Sequence, residues 1–178
     1  MQITLNWGEN PRDLDSHLTV PSSESGGARY HLYWSNRGST PSTTWPYVKL
    51  DTDDTSSYGP EVVSAYKLYQ GTYRYCVHDY AGSSDITNSG ATVNLIVSSG
   101  SSAGIYNFTP PSGATGVDDV WNVCDISVDS GGNVSSISTL GNIIHNIATG
   151  SHESFSPNNA ATIGSLGVSS VGLIDKKR

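Results

Sequence analysis

Leu14-Asp15-Ser16-His17-Leu18-Thr19-Val20 is the stretch on which the fold turns. Successive side chains of a β-strand point to opposite faces, so Leu14, Ser16 and Leu18 share one face. Asp13, Asp15 and His17 share the other. Two further segments repeat the pattern. In Tyr30–Trp34 the residues Tyr30, Leu32 and Trp34 form one face and His31 with Tyr33 the other. In Tyr73–His78 the division is Tyr73, Tyr75 and Val77 against Arg74, Cys76 and His78. Each of these three strands carries one histidine on its less apolar face.

Strand candidates of the same short length recur with turn signals between them. They are Gln2–Trp7, Leu14–Val20, Arg29–Trp34, Tyr47–Leu50, Val62–Leu68, Thr72–His78, Thr92–Ser98, Gly104–Thr109, Val120–Val128 and Val134–Ser138. Even spacing of this kind predicts an all-β sandwich or barrel. Composition agrees. The 178 residues suffice for one core, and the 35% apolar content, 19 Gly, 8 Pro, 10 Tyr and 4 Trp suit strands joined by turns. After Ser138 the pattern changes, because Leu140, Ile143, Ile144 and Ile147 fall at i, i+3, i+4 and i+7. That spacing predicts a short amphipathic helix with Ser138 or Thr139 as N-cap, although Gly141 lies inside it. The reading is therefore a sandwich domain over residues 1–138 and an extension over 139–178, short helix, linker, terminal strand or assembly segment.

Charge excludes one class of partner. With 9 Lys and Arg against 16 Asp and Glu the net charge is −7, the wrong sign and the wrong residues for neutralising a phosphate backbone. No run approaches the roughly 20 apolar residues of a membrane helix, and Met1 opens directly into a strand pattern. Neither membrane insertion nor a signal peptide is expected. The excess of Asp over Glu, 12 against 4, and the Ser/Thr/Gly-rich surface fit a secreted or cell-surface protein.

Residues 51 to 61, Asp-Thr-Asp-Asp-Thr-Ser-Ser-Tyr-Gly-Pro-Glu, place three carboxylates within four positions and a fourth past a Gly-Pro corner. Calcium takes 6–8 oxygen ligands at about 2.3–2.6 Å and tolerates irregular loops, so an acidic turn with a returning Glu suits it. Joined to the acids of the first strand, the candidate ligands are Asp13, Asp15, Asp51, Asp53, Asp54 and Glu61. They cannot all sit on one loop and would have to meet where two strand ends approach. A bound cation would relieve their repulsion and add to stability. The alternative is a solvated turn in which Asp serves as an Asx-type cap. The 12-residue EF-hand spacing is absent.

A second candidate metal set is His17, His31 and His78, with Asp15 or Asp79, a zinc-type donor set if the three strands are neighbours. Its alternative is three hydrogen-bonding histidines on polar faces. Cys76 and Cys124 both lie in strands and, by alternation, both fall opposite the aromatic parity. They read either as a disulfide or as two buried thiols, since a bridge needs Cα atoms within about 7 Å. Trp45 and Tyr47, around Pro46, are candidates for an aromatic platform that stacks on a sugar ring; the alternative is core. No Gly-x-Ser-x-Gly elbow, His-Glu-x-x-His pair or phosphate loop occurs, which leaves nucleophilic and phosphoryl chemistry without an anchor.

Leu5-Asn6-Trp7, the run Asp13 to Leu18, Tyr30-His31, the run Leu50 to Thr55 with Tyr58-Gly59-Pro60-Glu61, the run Gly71 to Tyr75, and Trp121-Asn122-Val123 follow one another in an order that resembles the secreted YfaP-like domains of bacteria. These are modules of cell-surface proteins, and the resemblance spans about residues 1–138. The chain is also similar to bacterial pre-peptidase C-terminal domains, calcium-stabilised sandwiches that bind polymers. The resemblance implies an Ig-like or jelly-roll β-sandwich with an accessory, non-catalytic role. The functional expectation is an extracellular, calcium-binding module for a glycan or a cell-surface protein. A structural subunit of a surface fibre or adhesin, self-associating through residues 139–178 by strand addition, is the alternative from another class. A metal-dependent hydrolase using the histidines is the third.

Overall fold

The computed structural model of the chain describes residues 1–22, 28–39, 44–81, 85–112 and 120–144. Among these, the strands are β1 (Gln2–Asn6), β2 (Leu14–Val20), β3 (Tyr30–Leu32), β4 (Val48–Thr52), β5 (Glu61–Ala65), β6 (Gly71–Asp79), β7 (Thr92–Val97), β8 (Gly104–Phe108), β9 (Val120–Val128) and β10 (Val134–Ile144). Each overlaps one of the segments expected from alternation. They form two five-stranded antiparallel sheets, the first in the order β4-β5-β1-β7-β8 and the second in the order β10-β9-β6-β2-β3. The fold is a β-sandwich. Among the described residues no helix is long and apolar enough to cross a membrane.

The core is built from every second residue of facing strands. Ile3 and Leu5 of β1 and Val93, Leu95 and Val97 of β7 meet Leu14 and Leu18 of β2, Tyr73, Tyr75 and Val77 of β6 and Trp121 of β9 in one cluster. Burial of each large side chain contributes about 1.5–3 kcal/mol. A polar contact lies inside it: the Ser16 and Tyr75 hydroxyls share a hydrogen bond of 2.6 Å, which satisfies both where water is excluded.

Two departures from regular alternation correct the sequence reading. Opposite β6, β9 carries a bulge: Tyr75 pairs with Cys124 and Cys76 with Asn122, so Val123 is the extra residue. A bulge shifts the parity of everything beyond it. Trp121 and Val123 face the core, and so do Cys124, Ile126 and Val128. Cys76 lies on the opposite face, in a separate buried contact with Val120, and donates to Asn122 Oδ1 at 3.1 Å. Of the two readings of Cys76 and Cys124, the buried thiols hold and the disulfide is not formed, because the sheet separates two thiols on adjacent strands; both cysteines are free and buried.

The second departure is in β10. The helix expected over Leu140, Ile143 and Ile144 is absent there, and residues up to Ile144 continue the strand along β9, pairing Asn142 with Asn122 and Ile143 with Trp121. Between Thr139 and Asn142 the register slips at Leu140 and Gly141, where Gly141 takes φ 63°, a conformation that glycine adopts without strain. That slip breaks the period of two and so imitates a helical spacing. Ile147 and the rest of the 145–178 segment lie outside the described residues.

Candidate metal centre

The second sheet has an unusual outer face. Antiparallel sheets usually pack one face and wet the other, and β7 follows this rule, but every residue of β2 is buried, and so is β6 from Tyr73 to Asp79. Register sets Asp15 opposite His78, His17 opposite Cys76 and Thr19 opposite Arg74, all on the face away from the core. His31 of β3 lies beside Thr19. The cover comes from the turn after β3 and from the residue after β6. Tyr33 stacks on His31 (ring centroids 4.6 Å) and on His17 (5.7 Å), and Tyr80 meets His78 edge to face at 6.2 Å. Trp34 contacts both Tyr33 and Tyr80. Asn36 holds this turn by donating to the His31 carbonyl (2.8 Å) and accepting from the Tyr30 hydroxyl (2.6 Å).

β3 is only three residues long and pairs with Leu18–Val20, so the Leu14–His17 half of β2 has no strand on that side. Its outward N–H groups need other acceptors. Glu61, the first residue of β5 in the other sheet, supplies one: its Oε2 accepts from the Ser16 N–H at 2.5 Å. The Glu61 side chain is fully buried, and its Oε1 meets no backbone or hydroxyl donor. Carboxylate oxygens of Asp15, Asp53 and Glu61 lie within 4.8 Å of one another. Burial first, and then the neighbouring Asp15 charge, push the Glu61 carboxyl well above its ordinary range, against the Ser16 hydrogen bonds that favour the anion.

Asp15 belongs to a second group as well. One oxygen of Asp15 and one nitrogen each of His17 and His78 also lie within 4.8 Å of one another, all three residues being 3% exposed or less. His17 Nδ1 and His31 Nε2 share a hydrogen bond of 2.8 Å.

The expected acidic set therefore divides. Asp15, Asp53 and Glu61 come together; Asp51, Asp54 and Asp13 do not join them. Lys49 Nζ holds Asp51 at 3.1 Å. Asp54 Oδ1 accepts from the backbone and hydroxyl of Ser56, at 2.7 and 2.8 Å, the turn-capping role that was the alternative reading. Asp13 is buried at the end of the row, its carbonyl accepting from Tyr80 and Ala81. Of the histidine set, His17 and His78 stay together with Asp15, one of the two carboxylates expected beside them, while His31 hydrogen-bonds His17 instead. Trp45 and Tyr47 pack on different neighbours: Trp45 lies against Tyr30 at 5.5 Å and donates to the Pro21 carbonyl, while Tyr47 pairs with Tyr69 at 5.4 Å beneath the Lys67 ammonium. Both are half-buried.

The double membership of Asp15 and the cover by Tyr33 and Tyr80 were not legible beforehand. Both depend on how a short β3 leaves half of β2 open. No protein-family model matches the chain, and no solved structure matches it.

Proposed function

We propose that the protein is a non-catalytic, extracellular binding module braced by calcium at Asp15, Asp53 and Glu61. The observation that carries this reading is Glu61, fully buried, with no backbone or hydroxyl donor on its Oε1 and two further carboxylates within 4.8 Å. Three buried or half-buried carboxylates this close are stable together only when protonated or neutralised, and oxygen donors suit a hard divalent ion. Main-chain carbonyls and water would complete its shell.

Such an ion would tie the Asp53–Glu61 loop of the first sheet to β2 of the second. That loop is already seated on the β1–β2 connection: Ser57 N–H donates to Arg12 O (2.8 Å) and Tyr58 N–H to Gly8 O (3.0 Å). It presents Tyr58, 61% exposed, at its tip. An exposed aromatic on a cation-braced loop suits contact with a sugar ring or an apolar residue of a partner protein.

Calcium titration followed by thermal melting tests the brace. Calcium at about 100 times its dissociation constant should add about 2.7 kcal/mol and raise Tm by roughly 5–10 °C for a domain of this size. Glu61→Gln should abolish that rise. An unchanged melting curve for the wild type in excess calcium and in excess chelator overturns the proposal.

A further inference from the structure

We propose a second cation site, for zinc or a transition metal of similar preference, formed by Asp15, His17 and His78 on the outer face of the second sheet. The proposal does not rest on the calcium reading, since neither histidine is among those oxygen donors. Its basis is geometric. Cross-strand pairing sets Asp15 directly opposite His78, and His17 follows Asp15 on the same face of β2. The three donor atoms lie within 4.8 Å, close enough to share one ion.

One carboxylate oxygen and two imidazole nitrogens form a borderline donor set that favours zinc over calcium, and three protein ligands leave the fourth tetrahedral position to water. The surroundings match what such sites carry. A metal-bound imidazole usually has its other ring nitrogen held by a neighbour, which fixes the ring and its tautomer. His31 holds His17 in this way through the 2.8 Å hydrogen bond, and Tyr33 stacks on both rings. The site also lies out of solvent, beneath Tyr33 and Tyr80. Asp15 has two carboxylate oxygens, so one ion on each side of it would use one apiece. The two sites would then be linked through a single side chain.

The test is a zinc titration of the full chain by calorimetry, with cobalt(II) as a visible-absorbing substitute, in calcium-containing buffer. One equivalent of each metal should bind. His17→Gln and His78→Gln should each abolish binding, His31→Gln should weaken it by about 10–100-fold, and Glu61→Gln should leave it intact while losing the calcium-dependent rise in Tm. If a histidine variant fails to fold, the wild type still decides the matter by NMR of ring nitrogens. Zinc should then shift His17 and His78. Zinc binding that survives in folded His17→Gln and His78→Gln, zinc that moves only His145 and His152, or no zinc binding to the wild type overturns the proposal.

Discussion

The two outer faces of this sandwich were built to different rules. On the first sheet the outer face meets water: Ile96 and Ile105 are 38% and 66% exposed, and Asn94 donates to Asn107 across β7 and β8 in the open. Over β2 and β6 the outer face of the second sheet is closed. There Asp15, His17, Arg74 and His78 are each 3% exposed or less. Solvated polar residues on a sheet face cost nothing, whereas the same groups withdrawn from water cost several kcal/mol unless partnered or bound to an ion. Both proposed cation sites take Asp15 from this closed face.

Three substitutions test that difference, in falling order of effect. Arg74 forms a two-point pair with Asp125, at 2.7 and 2.8 Å, with the arginine 2% exposed. Arg74→Ala should cost about 3 kcal/mol in denaturant unfolding, the lower end for a broken buried pair because Asp125 retains some solvent; a loss under about 1 kcal/mol would mean that the closed face tolerates an orphaned charge. Gly59 adopts φ 75°, and a Cβ there would lie 2.8 Å from the Trp7 ring. Gly59→Ala should cost about 1–3 kcal/mol and weaken calcium binding, since Glu61 follows two residues on; calorimetry showing unaltered calcium affinity would separate the loop from the site. On the open face, Ile105→Ser should stay within about 0.5 kcal/mol of wild type in the same unfolding assay. A larger loss there would show that this face is covered in solution.

Much of the second sheet was legible from residue order. Alternation alone placed Asp15 and His17 on one face of β2 and His78 on one face of β6, because a side-chain period of two leaves no choice in an unbroken strand. It failed where the strand was broken. The bulge at Val123 turned Cys124 into the core, and the slip at Leu140 and Gly141 made a strand resemble a helix. A single extra residue has no signature in composition, yet it reverses every side chain beyond it.

The acidic loop shows the other limit. Asp51, Asp53 and Asp54 look alike in sequence, but Lys49 takes the first and Ser56 the third, while Asp53, 3.9 Å from the Arg37 guanidinium, stands with Asp15 and Glu61. Which carboxylate joins a site depends on neighbours brought from elsewhere in the chain, and one such neighbour, Asp15, stands 38 positions before Asp53.

By itself the sequence determined an all-β sandwich, the faces of its regular strands and the pool of oxygen and nitrogen donors, because these follow from local periodicity and residue chemistry. Only the tertiary structure decided that β3 stops short, that Glu61 crosses from the other sheet to the open half of β2, and that Asp15 stands in both donor groups. Those outcomes depend on the pairing of distant strands and on where that pairing ends.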